Sequence, residues 1–197
     1  MSEVITATIY TKPVNFLNEN NISNDEWKSK WMNILNIKNI IFSSLLSYND
    51  ENDVYFISTT NEYVEQLTTF LTNNVVLHRK QGPAIKYSNG SELYFHEGKL
   101  HNEKGPAIIS HDGSMDYYLN GMLHREDGPA RTFPDGSMEY RINGELHNLD
   151  GPAYISPNTG VFKFYVNGEL HNERGPAWIC PTSKTYWING KYIKYER

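Results

Sequence analysis

Tyr140-Arg141-Ile142-Asn143-Gly144-Glu145-Leu146-His147-Asn148-Leu149-Asp150-Gly151-Pro152-Ala153 is one statement of a phrase that this chain writes repeatedly. Its Leu-His step, with Gly-Pro-Ala beginning four residues after the His, occurs five times. The histidines are His78, His101, His124, His147 and His171, and the glycines are Gly82, Gly105, Gly128, Gly151 and Gly175. Both series advance by 23, 23, 23 and 24 residues. A fixed period of this length marks a tandem array of stacked supersecondary units, an architecture that more often binds than catalyses.

Turn chemistry divides each period. A first turn (Asn89-Gly90, Asp112-Gly113, Asp135-Gly136, and the longer Asn158-Thr159-Gly160) is followed by a second (Glu97-Gly98, Asn120-Gly121, Asn143-Gly144, Asn167-Gly168, Asn189-Gly190). Asn-Gly and Asp-Gly supply the positive φ values that tight hairpins require. Between the turns lie short alternating runs rich in Tyr, Phe, Ile and Val, such as Met138 to Ile142, which predict strands. Each repeat is expected to hold about two antiparallel strands, with Gly-Pro at a strand entrance where the missing amide costs no ladder bond. No helix is expected in this half.

Aligning the repeats separates two faces. One carries Tyr94, Tyr117, Tyr140, Phe164 and Tyr186, with His96, Leu119, Ile142, Val166 and Ile188 two residues on. Leu100, Leu123, Leu146 and Leu170 recur after the second turn, with Tyr192 in the last unit. These columns are the expected core. The other face carries Phe95, Tyr118, Arg141, Tyr165 and Trp187 beside Ile85, Ile108, Arg131, Tyr154 and Trp178. A solvated face is normally Lys, Glu and Thr, so this one is expected either to pack on the N-terminal region or to bind a partner. On the second reading the candidate binding residues are Tyr118, Arg141, Tyr154, Tyr165, Trp178 and Trp187.

The hairpin unit Tyr-x-x-Asn-Gly-x-Leu-His-x-x-Asp-Gly-Pro-Ala resembles the MORN repeat superfamily, especially its bacterial variant in YwqK-type antitoxin proteins. It also resembles the Leu-His-Arg-x-Asp-Gly-Pro-Ala repeats of large-virus and phage proteins. The resemblance covers residues 77 to 190, with Ala84, Ala107, Ala130, Ala153 and Ala177 where a MORN unit usually has its second glycine. It implies a single curved antiparallel sheet used as a scaffold or interaction surface, and no common reaction.

Charge divides the chain into expected domains 1–76 and 77–197. The first holds 4 Lys against 9 Asp or Glu, and the second has 14 charges of each sign. Val4 to Tyr10 alternates as a strand, Ile40 to Leu46 is apolar, and Asp53 to Ser58 reads as a further strand. Asn24 or Asp25 predicts a helix cap before Trp27, Trp31, Ile34 and Leu35, and Thr60 or Asn61 another before Val64, Leu67, Phe70 and Leu71. The expected fold is therefore α+β: a small acidic α+β domain or cap, near the lower size limit for an independent core, followed by about five hairpin repeats.

Searches for chemistry return little. Residues 1–12 lack a charged segment followed by an apolar one, and no run approaches 18 apolar residues. A soluble, cytoplasmic protein without a membrane partner is expected. One cysteine, Cys180, excludes an intramolecular disulfide framework and reads as a small strand residue. Histidines at one repeat position should sit about 9 to 10 Å apart, too far to share a zinc whose bonds are near 2.0 to 2.1 Å. They are expected instead to brace the Gly-Pro-Ala corners. No P-loop, dinucleotide-binding, zincin or nucleophile-elbow motif occurs. No catalytic residue, metal or cofactor is expected, and nucleic acid is disfavoured because there is no basic stripe.

The expectation is a non-enzymatic repeat module that binds a protein partner. The Asn- and Ile-rich wording of Asn18 to Ile22, with the virus- and phage-like repeats, points to a viral or phage accessory protein acting in host cytoplasm. The alternatives are an inhibitor that blocks a host defence enzyme through the acidic domain or the aromatic face, and an enzyme with its site in the sheet's concavity. An open sheet edge also offers a route to homo-oligomers.

Overall fold

The computed structural model describes residues 4–11, 41–44 and 53–60 as strands, and residues 77–197 in full. The chain forms two compact units, 1–99 and 100–197.

In the first unit Asp53–Thr60 is the hub of the N-terminal strands. It pairs antiparallel with Ile41–Ser44 on one side and with Val4–Thr11 on the other. Val4–Thr11 then pairs with Ile85–Tyr87, Ala7 opposite Tyr87 and Ile9 opposite Ile85. Ile85–Tyr87 in turn pairs with Glu92–Leu93. The two strand expectations for the N-terminal region, Val4 to Tyr10 and Asp53 to Ser58, are met within two residues, and the apolar stretch Ile40 to Leu46 holds a third strand.

The α+β assignment is corrected. The described residues contain no helix and build antiparallel sheet, so the fold they define is all-β. The expected helices after Asn24 or Asp25 and after Thr60 or Asn61 lie outside the described residues. Backbone pairing is the physical reason for the correction. The N-terminal strand satisfies its N–H and C=O groups on the first repeat strand, so the repeat sheet's edge is met by another strand. No helix among the described residues is long and apolar enough to cross a membrane.

In the second unit each repeat makes two hairpins rather than one. The first hairpins are Ile108–Ile109 with Met115–Asp116, Arg131–Thr132 with Met138–Glu139, Tyr154–Ser156 with Val161–Lys163, and Trp178–Cys180 with Ser183–Ile188. They join side by side into one sheet, closed at its far edge by Lys191–Glu196. The second hairpins form separate two-stranded ribbons: Tyr118–Leu119 with Met122–Leu123, Arg141–Ile142 with Glu145–Leu146, and Tyr165–Val166 with Glu169–Leu170.

One residue per repeat makes the switch. The amide of Tyr140 donates to Ala153 O, at the entrance of the next strand of the main sheet, at 2.8 Å, while its carbonyl accepts from His147 N in its own ribbon at 3.0 Å. Tyr117 and Phe164 do the same with Ala130 and His124, and with Ala177 and His171. Alternation runs through Met138 to Ile142 unbroken because the pleat continues, and so it cannot reveal a change of partner. In the last unit the switch is replaced by a register shift at Tyr186/Trp187 inside one long strand.

The turns follow their chemistry. Asn143 (φ 51°) and Gly144 (φ 88°) are both left-handed, as a two-residue hairpin of this kind demands. At the first turn Asp135 accepts from the amide of Ser137 at 2.9 Å, which holds Gly136 in its positive φ.

The column of full burial differs from the expected one. Ala84, Ala107, Ala130, Ala153 and Ala177 are 0% exposed, whereas Tyr117, Tyr140 and Phe164 are half-buried. Ala130, Ala153 and Ala177 stand where the switch residues' amides reach across, each accepting one at its carbonyl at 2.7 to 2.8 Å.

Candidate functional site

The residue pairs of the second unit assemble a row across its sheet. Directly opposed residues of antiparallel strands share a face. The register places Ile108, Asp116, Arg131, Glu139, Tyr154, Lys163, Trp178, Thr185 and Tyr195 opposite one another in succession. Two residues after Asp116, Glu139, Lys163 and Thr185, on the same side of the pleat, come Tyr118, Arg141, Tyr165 and Trp187. All six candidate binding residues therefore belong to one face, but they divide into groups with different surroundings.

The first group is an ion lattice. Arg131 forms a bidentate pair with Asp116, Nε and Nη2 each 2.8 Å from one carboxylate oxygen. Arg141 donates from Nε to Glu139 at 2.8 Å and from Nη1 to the carbonyl of Gly144 at 2.6 Å. Both carboxylate side chains are only 14% exposed. The hydrogen bonds it donates to Asp116 hold the Arg131 guanidinium above its ordinary pKa. Tyr118 lies against this lattice. Its hydroxyl is pushed up chiefly by burial and also by Asp116, against the opposing pull of Arg131 and Arg141.

The second group is aromatic. The Lys163 ammonium stands 5.2 Å from the centroid of the Tyr154 ring and 4.7 Å from that of Trp178. One cation is thus shared by rings from consecutive repeats, and Trp178 remains 39% exposed. Tyr165 is half-buried, and burial raises its hydroxyl pKa. Trp187 turns to its own hairpin, donating to Thr185 Oγ1 at 2.8 Å and meeting the Tyr192 ring edge-on at 5.3 Å. Of the six candidates the structure joins Tyr154 and Trp178 directly through Lys163, and places Tyr118 and Arg141 in the ion lattice.

Asp116, Glu139 and Lys163 escaped the sequence reading as site residues. Their signal is visible only once register puts Asp116 beside Arg131 and Lys163 between two rings.

The histidines brace, though at another corner than expected. Nδ1 of His101, His124, His147 and His171 accepts the amide of Asn120, Asn143, Asn167 and Asn189 at 3.1, 3.1, 3.2 and 3.2 Å. Each ring thereby holds the left-handed turn of the following repeat. The Gly-Pro-Ala corner is held instead by the residue after the histidine: Asn102, Asn148 and Asn172 donate to the carbonyls of Pro106, Pro152 and Pro176 at 2.9, 3.1 and 2.9 Å. Arg125 takes that place in its repeat, reaching Pro129 O at 3.4 Å while its guanidinium lies 4.0 Å from the Tyr117 ring centroid. A recess of about 510 Å³ opens between residues 102–105 and 124–127. Asn102 and Arg125, which line it, are engaged in holding these loops.

Cys180 is a more acidic thiol than a plain strand residue. The Ser183 hydroxyl, 3.0 Å from Sγ, and the neighbouring Thr182 bring its pKa down to about 7.

No family model matches the chain, and no curated protein or solved structure matches it significantly.

Proposed function

We propose that this protein is a non-enzymatic, MORN-like interaction module, of the virus- or phage-encoded accessory kind, that recognises a protein partner through the aromatic end of its repeat sheet. One observation carries the reading: Tyr154 and Trp178 flank a shared Lys163 on a sheet face, and Trp178 is still well exposed. Large aromatics held in place on a rigid element are the residues that dominate binding energy, because they bury much area while losing little conformational freedom. The rest of the face supports a binding role, since the carboxylates and guanidiniums of the ion lattice are spent on one another.

The test is affinity purification with mass spectrometry from cells in which the protein is expressed, wild type beside a Tyr154→Ala, Trp178→Ala double variant. A protein enriched by the wild type and lost with the variant, at unchanged fold, supports the reading. Equal recovery by both removes this face as the binding surface.

A further inference from the structure

We infer that the aromatic end of this face is a docking track for an extended, acidic, proline-rich segment of the partner; this deepens, and rests on, the reading that the face binds protein. Tyr154, Trp178 and Tyr195 occupy every second strand of the row, with Lys163 and Thr185 between them. Adjacent strands are about 4.7 to 4.9 Å apart, so successive rings recur about every 9.5 Å. A polyproline II segment advances about 3.1 Å per residue with three residues per turn, so residues i, i+3 and i+6 recur on one side about every 9.3 Å. A β-strand presents side chains on one side about every 6.6 to 6.8 Å, and an α-helix repeats about every 5.4 Å. Neither matches the spacing of the rings. Proline-rich segments also favour aromatic-lined surfaces, since their conformation is formed before binding and little entropy is lost.

Charge selects among such segments. The guanidiniums of this face, Arg131 in the row and Arg141 beside it, are each paired to a carboxylate. Lys163 has no carboxylate partner among the described residues, and it stands between the first two rings. In the last hairpin Lys184, Lys191 and Lys194 alternate onto the other side of the strands, with Lys194 paired to Glu196, so the charge at this end of the row is that of Lys163. A bound segment carrying Glu or Asp beside its prolines completes the pairing that this end of the row lacks.

The probe is a capped, fluorescently labelled peptide of three Glu-Pro-Pro repeats, titrated with the full chain and read by anisotropy. Lys-Pro-Pro and Glu-Ala-Ala peptides of equal length serve as comparisons. Saturable binding of Glu-Pro-Pro at least tenfold tighter than either comparison is expected, with a tenfold or greater loss in Trp178→Ala. In Lys163→Glu, with a wild-type melting temperature confirming its fold, the preference reverses toward Lys-Pro-Pro. Equal binding of the three peptides, absence of binding by Glu-Pro-Pro, or an unaffected Trp178→Ala variant overturns the inference. If the peptide fails while the Tyr154→Ala, Trp178→Ala variant still loses its protein partner, the face binds protein and only the polyproline track falls.

Discussion

The two ends of the row across the second unit's sheet share a backbone and differ in what their side chains do. At Asp116, Arg131, Glu139 and Arg141 every charge has its counter-charge, and the carboxylates are nearly buried. At Tyr154, Lys163 and Trp178 the same columns hold two rings around a cation with no carboxylate partner among the described residues, and one ring stays exposed. Both ends have left-handed Asn-Gly turns, histidine braces and a buried alanine beneath them. The division of labour is instructive. Turns, braces and alanines specify the backbone, which leaves the face columns free to be spent on stability at one end and on recognition at the other.

The largest expected effect tests what the two ends have in common. Ala130 and Ala153 are 0% exposed, so replacing either with Leu puts three added carbon atoms into a fully enclosed position. A loss of about 2 to 3 kcal/mol is expected at each site, in the overpacking range, and urea melts will show it. Near-neutral variants would mean that the alanine column is not the close-packed floor of both ends.

Next in size, Arg131→Ala separates the ends. It leaves Asp116 with no counter-charge, while Glu139 keeps Arg141. Breaking a fully buried pair costs about 3 to 5 kcal/mol. Solvent reaches the Arg131 side chain, so the expectation here is about 1 to 2 kcal/mol. A matching loss in Lys163→Ala, which ends no ion pair among the described residues, would erase the distinction between the two ends.

His124→Ala should cost about 1 kcal/mol, the usual net worth of one hydrogen bond, because the Asn143 amide loses its acceptor. The change should also raise hydrogen exchange at the Asn143 turn, in the following repeat, more than at the Gly128-Pro129-Ala130 corner of its own repeat. The opposite pattern would return the histidine to the corner first expected for it.

The smallest effect is chemical. Cys180 alkylation by iodoacetamide should rise through a midpoint near pH 7, where its thiol ionises. Ser183→Ala, which removes the first of the groups that stabilise the thiolate, should move that midpoint upward. An unchanged midpoint would show that the Ser183 hydroxyl is not the cause.

Much of the fold was legible in the sequence because turns are local. Asn143-Gly144 and Asp135-Gly136 announce their backbone in two residues, and a period of 23 residues announces repetition. The second hairpin in each repeat was not legible, since Tyr140 changes partners without interrupting the alternation around it. The role of Ala153 was hidden for a different reason: its importance lies in the backbone that approaches it, which a small residue does not advertise. At the candidate site the aromatic columns could be read from periodicity alone. Lys163 between Tyr154 and Trp178, and Asp116 against Arg131, needed the register, which joins residues 9 to 15 positions apart.

The most direct test of the central claim pairs a melting temperature with partner capture for the Tyr154→Ala, Trp178→Ala variant beside Arg131→Ala. For a chain of this size about 1 kcal/mol corresponds to roughly 2 to 4 °C. The account predicts that Arg131→Ala melts several degrees lower and still captures the partner at temperatures where it is folded. It predicts that the aromatic double variant melts closer to wild type than Arg131→Ala does and captures nothing. A double variant that keeps its partner, or an Arg131→Ala protein that loses it while folded, would contradict the assignment of recognition to the aromatic end.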